Sequence, residues 1–145
     1  MKPPPQRILL VEDDESDAFF MKRAMTKALF PPPIHVATNG QDAMDYLEGA
    51  AHYADRASYP LPQCVFLDLK LPFINGFQVL QWMRDQPTLK DLPVFVLTSS
   101  PEESDRERAK QLGALAYLIK PPTPEMLKKS LSLLPLCAGF QPGPA

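Results

Sequence analysis

The stretch QCVFLDLKLP, residues 63–72, runs apolar through Cys64, Val65, Phe66 and Leu67 and then stops on the carboxylate of Asp68. Taking a charge out of water is expensive. A carboxylate at the tip of a buried strand is therefore either a cap or turn residue, or a reactive group presented at a sheet edge. The flanking segments decide which. RILLV (7–11), IHVAT (34–38), VFVLT (94–98) and ALAYLIK (114–120) are short apolar runs of the same kind, and each reads as a strand. Segments with helical periodicity alternate with them. Ala18, Met21, Met25, Ala28 and Leu29 line one face of a first helix, which Asp14 or Ser16 can cap and which the prolines at 31–33 end. QDAMDYLEGA (41–50) follows the Asn39–Gly40 turn, and a third helix runs to about Asp85 with Phe77, Leu80 and Met83 or Arg84 inward. PEESDRERAKQLG (101–113) is a polar helix anchored by few residues, Ala109 and Leu112 among them, with Gly113 suited to its C-terminal cap. Met126, Leu127, Ser130, Leu131 and Leu134 mark a last helix, and residues 50–62 read as a long loop.

Strand and helix thus alternate five times, and several strands are apolar throughout, as expected of strands covered on both faces. Right-handed crossovers then give an α/β fold, a doubly wound five-stranded parallel sheet with helices on both sides. The 145 residues make one ordinary domain. The expected boundaries are an N-terminal extension at 1–6, the domain at 7–134 and an unstructured C-terminal tail at 135–145. Proline is abundant, 18 residues, but its clusters at 3–5, 31–33, 60–62, 121–124 and 142–144 fall between the patterned segments, where a missing N–H costs least. A net charge of −2 argues against a nucleic-acid surface. No run approaches the ~20 apolar residues of a membrane span. Two cysteines, Cys64 and Cys137, are too few for a disulfide framework or thiolate metal site, and a cytoplasmic setting is the expectation.

In such a sheet, chemistry collects at the carboxyl ends of the strands. Those ends carry Glu12 and Asp13 with Asp14 beyond, then Asp68, then Thr98-Ser99-Ser100, then Lys120 followed by Pro121. Clustered carboxylates repel unless a cation joins them, and hard oxygen donors suit Mg²⁺. Asp68 can then act as an ionised nucleophile toward a phosphoryl group, with Thr98 and Lys120 contacting its oxygens.

ILLVEDDES, VFLDLKLPFINGF, VFVLTSS and AYLIKPP, in this order at the ends of the first, third, fourth and fifth strands, resemble the motifs of response-regulator receiver domains of two-component signalling. The resemblance covers about residues 7–134. It implies a flavodoxin-like, CheY-like sheet of order 2-1-3-4-5 and a stand-alone regulator. In that regulator Asp68 accepts a phosphoryl group from a sensor histidine kinase. It further implies Mg²⁺ held directly by Asp13 and Asp68, by Glu12 through water and by the backbone carbonyl of Lys70. Thr98 and Lys120 would contact the phosphoryl group, Thr98 and Tyr117 would carry the switch, and the Lys120–Pro121 bond would be cis. The loop GAAHYADRASYPLPQ (49–63), the DLKLP form and the absence of an output segment look like the single-domain regulators of phytochrome-type histidine kinases. Such regulators often pair as homodimers through the fourth helix, fifth strand and fifth helix. The only catalysis expected is of the domain's own phosphorylation and dephosphorylation. Two other functions are weighed. An aspartate-nucleophile phosphohydrolase usually keeps a second aspartate two residues after the nucleophile, where Lys70 stands here. A phosphate-independent adaptor would not need the complete set of motif residues.

Overall fold

The computed structural model describes residues 7–28 and 33–134. The expected extension at 1–6, the tail at 135–145 with Cys137, Leu29 of the first helical face and the prolines 31 and 32 lie outside the described residues. The elements run β1 (Ile8–Val11), α1 (Glu15–Lys27), β2 (Ile34–Ala37), α2 (Gly40–Glu48), β3 (Cys64–Leu67), α3 (Gly76–Asp85), β4 (Val94–Thr98), α4 (Glu103–Gln111), β5 (Ala116–Ile119) and α5 (Pro124–Leu131). The sheet is parallel with order β2-β1-β3-β4-β5, as the sequence motifs imply. Among the described residues no helix is long and apolar enough to cross a membrane.

The three central strands are buried at every residue, while β2 and β5 at the sheet edges are largely half-exposed. Side-chain alternation along each strand divides the core in two. Ile8, Leu10, Phe66, Phe95 and Leu97 face α1 and α5, meeting Met21, Met25, Leu127 and Leu131. Leu9, Val11, Val65, Leu67 and Val94 face α2 and α3, meeting Ala43, Tyr46, Val79, Leu80 and Met83. The stacked rings of Phe66 and Phe95, 5.0 Å between centroids, join the centre of the first half. Cys64 is buried in this core, and burial pushes its thiol far up, leaving it unreactive.

Two boundaries differ from the sequence expectation. The fifth strand pairs only over Ala116–Ile119, because the chain leaves α4 through a tight cap. Gly113 adopts φ +84°, the Gly113 N–H donates to Lys110 O at 2.9 Å and the Ala114 N–H to Ala109 O at 3.0 Å. Residues 50–62, expected as a plain loop, contain a short 3-10 turn at Ala51–Tyr53 and are strapped to α2. The Arg56 guanidinium donates to the carbonyls of Tyr46 (2.7 Å), Leu47 (2.8 Å) and Tyr59 (3.1 Å). It thereby ties the loop to carbonyls in the last turn of α2. Of the two cap candidates for α1, Asp14 is the one that works, accepting the Asp17 N–H at 2.9 Å.

The turn from β3 to α3 leaves no spare space. Gly76 opens α3, its N–H donating to Leu69 O at 3.0 Å, and Asn75 and Gln78 form a reciprocal capping box. A Cβ on Gly76 would stand 2.2 Å from the Asp68 carbonyl oxygen and 2.7 Å from Leu69 Cα. Both obstacles are backbone, so Gly76→Ala must displace the loop that begins at Asp68. An overpacking cost of about 1–3 kcal/mol is expected, read as a lower midpoint in urea unfolding with an unchanged slope.

A second expected outcome concerns His35 on β2. Its ring lies 4.7 Å from that of Tyr46, and its Nε2 is 3.3 Å from the Tyr53 hydroxyl, which donates to Asp42 Oδ1 at 2.7 Å. Burial lowers the imidazole pKa below its usual value; Asp42 opposes this, and Arg7, His52 and Lys22 act with it. The unfolded chain therefore takes up this proton first as pH falls. The His35 contribution is intact above about pH 6.5 and is lost as pH drops through the depressed folded value. Glu12 (below) carries a shift of opposite consequence, so the quantity to measure is a difference. The stability of the wild type minus that of His35→Phe should fall between pH 7.5 and 5 in urea titrations; a flat difference would show that this histidine is indifferent to its charge.

Candidate functional site

Register assembles the site. Val11 pairs with Leu67 across β1 and β3, so the next residues, Glu12 and Asp68, emerge side by side. Backbone bonds pin both tips, with the Asp68 N–H donating to Val11 O at 3.1 Å and the Glu12 N–H to Ala37 O at 2.9 Å. Glu12 is 3% and Asp68 6% exposed. Asp13 is exposed, yet one carboxylate oxygen from each of Glu12, Asp13 and Asp68 falls within 4.8 Å of the others.

The opposing charge comes from the tip of β5. The Lys120 N–H donates to Thr98 O at 2.9 Å, the Lys120–Pro121 bond is cis, and the side chain reaches back toward β1 and β3. Its ammonium donates to Glu12, to Asp17 Oδ2 at 2.8 Å and to Asp68 Oδ2 at 2.9 Å. Burial acts to lower the Lys120 pKa, but the hydrogen bonds to Asp17, Glu12 and Asp68 outweigh it and hold the ammonium well above its ordinary value. Glu12 shows the remaining imbalance. Burial pushes its carboxyl up to about 7, the Asp68 charge adds to the rise, and Lys120 offsets only part of it.

Glu12, Asp13 and Asp68 therefore form a cluster of hard oxygen donors with more negative charge than one lysine neutralises. That donor set fits a divalent cation of the Mg²⁺ or Mn²⁺ type. The second Asp68 oxygen, Oδ1, accepts the Lys70 N–H at 3.1 Å; the Lys70 side chain is exposed. Beside Lys120 lies a cleft of about 290 Å³ lined by Asp17, Phe20, Leu97, Ser99, Pro121 and Pro122.

Thr98 is fully buried at the end of β4. Its Oγ1 accepts the Ser100 N–H over a long 3.4 Å. Ser100 then branches, since its carbonyl accepts the Tyr117 hydroxyl at 2.8 Å and its hydroxyl donates to Asp105 Oδ2 on α4 at 2.8 Å. The Arg106 guanidinium lies 4.7 Å from the Tyr117 ring centroid, and Arg108 lies 4.3 Å from that of Phe77.

Of the residues singled out by the sequence, Glu12, Asp13, Asp68 and Lys120 thus stand in one cluster at this edge, and Thr98 and Tyr117 are joined through Ser100. Asp14 stands apart as a helix cap. Two participants were not foreseen, Asp17 and Arg106, and Ser100, placed at the strand end by the sequence, has a linking role that was not. Asp17 lies in the first turn of α1, where an acidic residue ordinarily reads as complementing the helix dipole.

The chain matches the family model of the response regulator receiver domain over residues 8–132. It is 37% identical over 141 residues to the probable methanogenesis regulatory protein FilR2 of Methanothrix harundinacea, covering 95% of this chain and 88% of that protein. Response regulator Rcp1 of Synechocystis is 33% identical over 117 residues, covering 81% of this chain and 78% of Rcp1. The solved Mn(2+)-bound form of Rcp1 superposes with TM-score 0.74 at 31% identity, over 87% of this chain and 89% of the other. The bacteriophytochrome response regulator AtBRR superposes with TM-score 0.81 at 36% identity, over 91% of this chain and 94% of AtBRR. With strand order, carboxylate edge and motif residues in agreement, the chain belongs to the response regulator receiver domain family of signalling proteins.

Proposed function

We propose that Asp68 accepts a phosphoryl group from the phosphorylated histidine of a sensor histidine kinase, and that the acyl phosphate switches protein–protein contacts. The observation that carries this reading is that Asp68 shares a hard-oxygen cluster with Glu12 and Asp13 and is bonded to the ammonium of Lys120. In the transfer the P–N bond of phosphohistidine breaks and a P–O bond to an Asp68 carboxylate oxygen forms. The ionised carboxylate needs no general base, so the site's work is to orient Asp68 and neutralise charge. Glu12, Asp13, Asp68 and the Lys70 carbonyl would hold a divalent cation, Mg²⁺ in this reading, which when bound supplies positive charge to the phosphoryl oxygens. Lys120 supplies one further positive charge, and in this reading the Thr98 hydroxyl, at the end of the neighbouring strand, donates to a phosphoryl oxygen. The catalysis is confined to the domain's own phosphorylation and dephosphorylation.

The signal leaves through Thr98 and Tyr117. A Thr98 hydroxyl drawn toward the phosphoryl group withdraws from the Ser100 N–H, and Ser100 is the residue that holds both the Tyr117 hydroxyl and Asp105 of α4. Within α4 only Ala109 is buried, so few apolar contacts oppose its movement. The reading extends to a kinase of the phytochrome type, supported by the likeness to the bacteriophytochrome response regulator AtBRR, and to a homodimer through α4, β5 and α5.

Intact mass after incubation with Mg²⁺ and acetyl phosphate tests the acceptor. One phosphate is expected on the wild type, none on Asp68→Asn, and none on the wild type in EDTA. Uptake by folded Asp68→Asn equal to wild type would remove Asp68 from this role, and no uptake by the wild type would favour a phosphate-independent adaptor.

A further inference from the structure

We infer that Asp17 is the exchangeable partner of Lys120, a positioning residue that holds the ammonium while Asp68 is free and yields it to the phosphoryl group. An ammonium has three N–H donors, and those of Lys120 are divided among Glu12, Asp17 and Asp68. Phosphorylation turns the Asp68 carboxylate into an acyl phosphate, so that N–H passes to the phosphoryl group, and a second donor for its oxygens comes only if Glu12 or Asp17 gives one up. The three acceptors are unequal. The side chains of Glu12 and Asp68 are 3% and 8% exposed, whereas that of Asp17 is 41% exposed. Asp68 loses its carboxylate charge on phosphorylation, and releasing Glu12 would leave a buried carboxylate without its ammonium. Releasing Asp17 returns it to solvent, on the side where it lines the cleft beside Phe20, Pro121 and Pro122. Its loss leaves the helix intact, because the cap of α1 uses the Asp17 backbone N–H and the Asp14 side chain.

A second effect has the same sign. Asp17 and Asp68 each lie within one hydrogen bond of the same nitrogen, so the Asp17 carboxylate remains close to any phosphoryl group carried by Asp68 and repels it. In both respects Asp17 favours the unphosphorylated state. The inference rests on Asp68 as phosphoacceptor.

The test is the affinity of the Mg²⁺-loaded protein for beryllium trifluoride, a phosphoryl mimic, by titration calorimetry on wild type, Asp17→Asn and Asp17→Glu. The neutral amide should bind about fivefold tighter, the size of a partly exposed ion pair, and the longer carboxylate should return toward wild type. The gain should shrink as salt is raised to about 1 M, where exposed charges are screened; a merely structural role would move thermal stability without this salt dependence. Equal or weaker binding by folded Asp17→Asn would overturn the inference and leave the acceptor reading standing. Failure of the folded wild type to bind the mimic at all would overturn both.

Discussion

Two carboxylates side by side and out of water cannot both stay ionised without positive charge beside them. In this chain the pairing of Val11 with Leu67 leaves no alternative, because it delivers Glu12 and Asp68 to adjacent strand tips at 3% and 6% exposure. At an effective dielectric of about 20, two unit charges 4 Å apart interact by about 4 kcal/mol, a large fraction of a small domain's net stability. Lys120 answers this, and its position depends on β5 pairing at the far side of β4. The electrostatics of the edge therefore require the whole right half of the sheet to be in register. Burial first, and then the Asp68 charge, still pushes the Glu12 carboxyl up to about 7 against the pull of Lys120. The surplus negative charge is what makes the edge receptive to a divalent cation.

The same edge is held open by backbone geometry. Gly76 lies so close to Asp68 that a side chain is excluded, and the β3–α3 turn passes through Phe73 at φ +64° with its ring fully exposed. Left-handed φ in a bulky residue costs energy, and here the capping box at Asn75 and the Gly76–Leu69 bond fix the turn on the far side. The Asp68 carboxylate is thus held by the Lys70 N–H and the Lys120 ammonium, on a backbone pinned to Val11.

Much of this was legible in the sequence because it follows short-range rules. Apolar runs ending on Glu12, Asp68, Thr98 and Lys120 mark both the strands and the edge, since in a parallel sheet all carboxyl ends lie together. Asp17 could not be read in that way. Its role depends on how far α1 is rotated against β5, and a first-turn carboxylate has a sufficient local explanation already. Ser100 was visible only as one hydroxyl among neighbours. Its importance comes from a backbone carbonyl, which no sequence pattern distinguishes. The strap on the loop 50–62 was missed for a similar reason. The three acceptors of Arg56 are main-chain oxygens, so nothing in the residue types pairs them.

Composition also explains which part of the fold is free to respond. α1, α3 and α5 each bury several apolar side chains, whereas α4 buries only Ala109 and meets the sheet through a small cluster with Leu69, Phe77 and Val96. Its other contacts are electrostatic, with Asp105 on the Ser100 hydroxyl, Arg106 over Tyr117 and Arg108 over Phe77. Such contacts are directional and individually small, so they can be exchanged one at a time without emptying a core. A helix fastened by apolar area would resist a shift in one threonine hydroxyl. In the proposed switch, one fastened by a serine, a tyrosine and two arginines would be within reach of it, because the Ser100 N–H is bonded to the Thr98 hydroxyl and the Tyr117 hydroxyl to the Ser100 carbonyl.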